Sequence, residues 1–308
     1  MEDIKPSIAR GWGTGQLYPI LKELQSFGMG SRFLMGEVYF VEANAGDDGY
    51  DGLSWDKAKK TLAAAITASN ANIAAGSTGL AARNTIFIKG DSVKEDIKIF
   101  PSKCDVIGCG SNDAFNKTEI KGAHTETQDG TIMSTGFMNI QFVNDGAAAI
   151  FTVANLCGLY FTNCDFIAEA DSIHAIYITG TTGHDLRVLN CRLINDEYAD
   201  KFATAGILVA TTTTFWNLVI ENSYVEGEIG IQVDATNVYN GLINNNTVKA
   251  TGITINDVSD DIVVTRNRMI SAAAKGTLGN VIVYNAALAA DNIVTGNDGT
   301  IHCPAETA

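Results

Sequence analysis

Two apolar patterns recur along the last two thirds of this chain, each in its own column, and together they leave few folds open. From about residue 137, an alternating apolar strand ending in a small polar pair is followed by a strand reading small-Ile-x-apolar. The first pattern appears at Asn139–Asn144, Gly158–Cys164, Asp185–Cys191, Asn217–Ser223, Gly241–Asn246 and Asp261–Asn267. Aligning Asn144, Asn163, Asn190, Asn222, Asn245 and Arg266 gives steps of 19, 27, 32, 23 and 21 residues. The second pattern starts at Ala175, Gly206, Gly230, Gly252 and Asn280, with steps of 31, 24, 22 and 28. These are solenoid periods, at which one supersecondary unit stacks on the next.

Period-two alternation sends Ile176, Ile178, Ile207, Val209, Ile231, Val233, Ile253 and Ile255 to one face of their strands. Stacked coils place like residues about 4.8 Å apart, so these side chains become aliphatic files in the interior. The expected fold is therefore an all-β, single-stranded parallel β-helix. Asn163, Asn190, Asn222 and Asn245 read as a structural ladder of inward amides at the bend after the first strand. Cys164 and Cys191 take equivalent places in adjacent coils and read as stacked thiols rather than a bridge. The insertions Asp196–Thr204 and Thr211–Trp216 read as loops that lengthen two coils.

Composition narrows the function classes. Gly at 30 residues and Pro at only 4, with 46% hydrophobic content, argue for a packed core over disorder or collagen. A formal net charge of −14 speaks against nucleic acid, whose phosphates need clustered Lys and Arg. No run approaches the roughly 20 apolar residues that cross a bilayer. The start at Met1–Lys5 lacks the basic and apolar regions of a secretory signal, so synthesis and folding in the cytoplasm are expected. The six cysteines, Cys104, Cys109, Cys157, Cys164, Cys191 and Cys303, form no CxxC pair and read as buried thiols without zinc.

The amino-terminal third has its own grammar. Val38–Val41 reads as a strand, followed by a polar, Gly-rich turn through Trp55. A helix is expected over about 56–74, with Ser54 as N-cap, Asp56 in the first turn, and Ala58, Leu62, Ala65, Ile66, Ser69 and Ile73 on one face. An open solenoid end exposes strand edges and aliphatic files, and this helix is the candidate cap. Short strands follow at Asn84–Ser92, Glu95–Ile99, Asp105–Gly110 and Thr118–Gly122. Residues 1–35 fall outside the repeat, as an extension in which Leu17, Ile20, Leu21, Leu24 and Phe27 pattern a short amphipathic helix, a candidate docking segment. Residues 36–308 form the β-helix domain. Its end, Asn292–Asn297 and Thr300–Pro304, supplies a last strand and no capping helix, which leaves Cys303–Ala308 or a partner subunit to cover it.

The strand, the Gly-Asp-rich turn, the Ser-capped helix with Thr61-Leu62-Ala63-Ala64-Ala65-Ile66, and the short strands ending at Gly closely resemble the opening of pectate-lyase-like, phage-tailspike-like right-handed parallel β-helix proteins. The resemblance covers residues 38–297. It implies a right-handed coil and a virion protein, commonly a trimer, or a polysaccharide lyase, hydrolase or epimerase.

Enzymes of that resemblance carry clustered carboxylates with basic residues on adjacent coils. Asn256, Asp257, Asp260 and Asp261 with Arg266 and Arg268 partly resemble the paired aspartates and arginine of polygalacturonase-like enzymes. The matching His-containing motif and an Arg-x-Lys are missing, so Asp260 and Asp261 read as turn residues. His184 reads as a solvated histidine at a turn entering a strand. Asp47, Asp48 and Asp51 lack the spaced ligands of an EF-hand and read as turn chemistry. Glu221, Glu226 and Glu228 lie near one coil with no evident basic partner. No catalytic set, metal site or cofactor is assigned, and no binding residues can be named. The expected function is a non-catalytic virion component, a phage decoration, fibre or spike protein for particle assembly or surface and glycan attachment. Its partners would be other virion proteins or itself, assembled in the host cytoplasm, with no nucleic acid and no membrane insertion. The alternatives are a lyase or glycosidase acting on surface polysaccharide, and a secreted carbohydrate-binding adhesin.

Overall fold

The computed structural model describes residues 36–75, 83–90, 92–110, 117–126, 132–170, 172–195, 202–255, 262–270, 282–284, 293–298 and 301–302. It is a parallel β-solenoid of about seven turns, with one α-helix among the described residues. Three parallel sheets of 11, 8 and 8 strands wrap one lumen, and each coil visits them in the same order. The coil after Ile132–Met138, for example, runs Leu156–Thr162 in the first sheet, Asp165–Ala168 in the second and His174–Thr179 in the third. The amphipathic segment within 1–35 and the Asn256–Asp261 stretch lie outside the described residues.

The aliphatic files are present. Ile176, Ile207, Ile231 and Ile253 are successive register partners, as are Ile178, Val209, Val233 and Ile255. All eight are buried. Towards the amino terminus the files become aromatic: Phe137, Phe142, Phe151, Phe161 and Phe166 are fully buried and in ring contact. At the far end, Ile253 pairs with Ile282 rather than Val281. The column written above through Asn280 is thus one residue out of step.

The bend between the first and second sheets corrects the sequence reading twice. Ile140–Asn144 belongs to the second sheet, so Asn139, not Asn144, heads the asparagine column. Asn139, Asn163, Asn190, Asn222, Asn245 and Arg266 all sit in the left-handed region, with φ between 53° and 56°. Asparagine tolerates that region because its short amide bonds locally. These residues face outward: Asn190, Asn222 and Asn245 are exposed. Neighbouring turns are tied there by Asn163 Nδ2 to Asn139 Oδ1 at 3.2 Å and Asn245 Nδ2 to Asn222 Oδ1 at 2.7 Å.

The inward ladder is the next residue along, in the order Cys164, Cys191, Ser223, Asn246, Asn267 and Asn297. The Ser223 backbone N–H donates to Asn246 Oδ1 at 2.9 Å, and Asn246 N–H to Asn267 Oδ1 at 3.0 Å. Asn267 N–H donates to Asn297 Oδ1 at 2.9 Å, and each amide nitrogen returns a bond to a strand carbonyl. Cys164 and Cys191 are free, buried thiols stacked in that file.

The helix, α1, spans Leu62–Ala75, not 56–74. Ser54 makes no side-chain cap and precedes only a 3-10 turn at Trp55–Lys57. Thr61 is the N-cap, its Oγ1 accepting from Ala64 N at 3.2 Å, while Glu95 accepts from Leu62 and Ala63 N–H at 2.9 Å each. Amide donors at a helix start attract a carboxylate for this purpose. Leu62, Ala65, Ile66 and Ser69 face inward over the first coils, and Ser69 receives Asn84 Nδ2 at 3.1 Å. The helix thereby covers the open end, as a cap must. Nearby, Asp105 projects from the outer face of the first sheet yet is fully buried, because Arg83 pairs with it and also reaches Ser134.

Two smaller expectations fail. Glu95–Ile99 is not a strand, since the strand of that coil is Ser92–Lys94. Thr211–Trp216 is a loop only as far as Thr213: Thr214–Trp216 open the first-sheet strand Thr214–Glu221 and pair with Thr182–His184 and Asn237–Tyr239. Of the other insertion only Phe202–Thr204 is described, and Phe202 is fully buried.

The inner ladder predicts a contrast. Asn267→Ala strands the amides it serves and should cost about 3 kcal/mol, whereas Asn245→Ala, on the outer turn, should cost about 1 kcal/mol for the left-handed backbone. Urea unfolding followed by circular dichroism reads both; equal costs would contradict the inward assignment.

Two inward ionisable groups predict the acid limb of stability. His124 accepts from Ile97 N–H through Nδ1 at 3.1 Å, its Nε2 is buried without a partner, and burial pushes its pKa from 6.5 down to about 3. Burial pushes Glu126 from 4.5 up to about 7. The His124 contribution is complete above pH 6.5 and lost as pH falls towards 3, because only the unfolded imidazole takes up a proton in that window. The Glu126 contribution is complete below pH 4.5 and lost as pH rises through 7. The two oppose each other between 4.5 and 6.5, and below 4.5 the His124 loss stands alone. A thermal midpoint that drops below pH 4.5 in the native chain, and drops less in His124→Phe, is expected.

Candidate functional site

The carboxylates singled out by sequence that lie among the described residues are dispersed. Asp47 Oδ1 accepts from Gly49 N–H at 2.8 Å and Asp51 Oδ1 from Leu53 N–H at 3.0 Å. Asp48 holds Lys60 N–H, Thr61 N–H and the Thr61 hydroxyl at 2.8 to 2.9 Å, which fixes the chain entering α1. The three do not converge.

Glu221, Glu226 and Glu228 are also dispersed. Glu221 lies on the outer face of the first sheet and accepts from Asn244 Nδ2 at 2.8 Å. Glu226 lies on the second sheet, and Glu228 is exposed at the turn into the third. Glu226 does have a basic partner, one coil on: Lys249 Nζ at 3.1 Å, with the Tyr224 hydroxyl donating at 2.8 Å. Burial, then Glu226, raises the Tyr224 phenol above its ordinary pKa. Arg266 is an exposed left-handed turn residue and Arg268 an exposed second-sheet residue. Among the described residues no group of three or more His, Cys, Asp or Glu could hold a metal ion, and no helix is long and apolar enough to cross a membrane.

His184 is not a turn residue. It lies within the strand Thr182–Leu189, and its ring stacks on Trp216 with centroids 4.3 Å apart and planes 6° from parallel. Trp216 in turn stacks on Tyr239 at 6.1 Å and 27°. Register explains the row, because Cys157, His184, Trp216 and Tyr239 are successive Cα partners. A left-handed residue follows each of them: Gly158, Asp185, Asn217 and Asn240, with φ of 88°, 57°, 60° and 58°. This kink resets the alternation and starts a second outward row, Tyr160, Arg187, Val219, Leu242 and Val263. The Arg187 guanidinium lies 5.5 Å from the Tyr160 ring centroid. Arg187 is exposed, and the other members of both rows are half-buried.

The outer face of the first sheet is thus an apolar and aromatic plane across its middle coils, edged by Glu221, Asn244 and Thr265. It combines half-buried Trp216 and Tyr239 with exposed Arg187, the residue types enriched in binding hot spots. The repeat columns do not reveal this face, although the sequence carries one local signal of it. Leu218-Val219-Ile220 and Ile262-Val263-Val264 are unbroken apolar runs, which strands show when both faces are covered.

The class that the fold defines is a parallel β-solenoid with a helical cap. Comparison of the chain with protein-family models, curated proteins and solved structures found no match.

The row is held by its middle member. Trp216→Ala should lower stability by about 1 to 2 kcal/mol through loss of both ring contacts, and Tyr239→Ala, at the end of the stack, by less. Thermal unfolding followed by circular dichroism orders the two variants, and the reverse order would show that the stack contributes little.

Proposed function

We propose that this chain is a non-catalytic structural component of a virus particle, a decoration, fibre or spike subunit that joins its assembly through the outer face of the first sheet. The observation that carries this reading is the half-buried row Val219, Leu242 and Val263 beside the stack of His184, Trp216 and Tyr239. A face of this kind gains free energy when another surface removes it from water, at about 25 cal/mol per Å² of apolar area. A solenoid suits a spike, since it lengthens by adding coils. The resemblance of the amino-terminal third to tailspike-like proteins supports the placement in a virion. Among the described residues, Asp47, Asp48, Asp51, Glu221 and Glu226 support the non-catalytic half, because each is bound up in a turn, a cap or a pair.

A second reading, attachment to a surface glycan, draws on one further feature. His184, Trp216 and Tyr239 form a row of rings with centroids 4.3 and 6.1 Å apart, each with an apolar body and a polar handle.

The test pairs two variants. Val219→Glu with Leu242→Glu should abolish self-association, read by light scattering, and incorporation into the parent particle. Trp216→Ala should be the more damaging change if a glycan is bound, read by binding to host-surface polysaccharide. Full incorporation of the charged variant would overturn the assembly reading. Reducing ends or unsaturated sugars released from that polysaccharide would replace it with the enzyme.

A further inference from the structure

Building on the reading of the first sheet's outer face as an assembly surface, we propose that its partner is a second copy of this chain, related by a two-fold axis that passes between Arg187 and Glu221. On adjacent strands, Arg187 lies opposite Val219 and Leu189 opposite Glu221. The residues between them, Val188 and Ile220, are fully buried, so all four side chains project outward. They stand at the corners of a rectangle of roughly 4.8 by 6.6 Å. One diagonal carries a cation and an anion, and the other carries two aliphatic side chains.

Both charges on that diagonal are available. Arg187 is exposed and rests against the Tyr160 ring, with no carboxylate partner among the described residues. The Glu221 carboxylate is half-buried, accepts from Asn244 Nδ2 at 2.8 Å and meets no cation among the described residues. Their two rows run from Thr85 and Phe87 to Ile293 and Thr295. The one other charged side chain described in those rows is Asp105, which is buried beneath Arg83.

A two-fold axis makes an interface self-complementary, because each contact from one residue to a second is repeated from the second to the first. An axis in the plane of the interface, crossing the charged diagonal at its midpoint, brings Arg187 against Glu221 of the partner subunit twice over. Leu189 and Val219 then lie close to the axis, where each meets its own counterpart and keeps water from the pairs. Leu242 continues the row of Val219 on one side, and Thr162 and Met138 continue that of Leu189 on the other, all half-buried. A three-fold ring would need cation and anion on separate patches, whereas here they share one. Two ion pairs across the contact also offset the repulsion between copies that each carry a net charge of −14.

The experiment exchanges the charges in the full chain. Sedimentation at micromolar concentration should give a dimer for the native protein. Arg187→Glu and Glu221→Arg should each raise the dissociation constant about a hundredfold, since each sets like charges at both pairs. Mixed in equal amounts, the two variants should associate as tightly as the native chain, because every contact again joins opposite charges. Arg187→Gln, a milder change at an exposed position, should weaken the dimer about tenfold, and circular dichroism shows that each variant is folded. A native chain that sediments as a monomer or a trimer would overturn the two-fold pair. So would single variants that associate like the native chain, or a mixture that stays monomeric. Entry into the parent particle is decided by Val219→Glu with Leu242→Glu, so assembly through this face can survive the loss of the two-fold pair.

Discussion

In-register stacking of each coil on the one before is the constraint from which the rest of this molecule follows. A parallel ladder pairs every strand with two neighbours, and register makes each side chain the neighbour of its own counterpart. Inside, that turns Ile207, Ile231 and Ile253 into a continuous file that excludes water. At the first bend it turns single polar residues into a buried chain of amides, each bonded to the next coil. Slipping one coil by a residue would move the apolar set outward and break that chain at once, so both devices enforce the same register.

The aliphatic files were legible because period-two alternation survives within each strand, and adjacent strands repeat it. The bends were less legible for a physical reason. A residue in the left-handed region interrupts the alternation, so the pairs Asn163-Cys164, Asn222-Ser223 and Asn245-Asn246 do not announce which member points inward. The amide-rich column looked like the buried ladder, yet its asparagines are there for their tolerance of positive φ. The same ambiguity displaced the column by five residues at Asn144, where a second-sheet strand carries a similar polar end. The helix was legible as an element but not in its start, because Ser54 satisfies the local pattern while Thr61 and Glu95 supply the caps. Glu95 lies 33 residues from the amide it accepts, out of reach of any local rule.

The candidate face was legible only in part. Its members come from five coils, and nothing in the spacing of His184, Trp216 and Tyr239 along the chain suggests a stack. What places them together is the kink at Asp185, Asn217 and Asn240, a second left-handed column that sequence reading did not separate from the first. The unbroken runs around Val219 and Val263 carried the one local hint, namely that these strands lack a polar outer side.

Stacking also limits what the surface can become. Outward side chains stand in rows for the same reason that inward ones do, so a solenoid builds a functional face by changing a row gradually rather than by gathering distant loops. The first sheet shows the sequence of changes: a buried Arg83–Asp105 pair beneath the cap, then Tyr160 and Arg187, then Val219, Leu242 and Val263. The second sheet instead carries paired charges such as Glu226 with Lys249 and Lys121 with Glu169, in which Lys249 and Glu169 are the exposed members. In a chain with net charge −14, self-repulsion is weakest on the side where charge is sparse. Charge is thus sparse across the Val219, Leu242 and Val263 row of the first sheet and concentrated on the second.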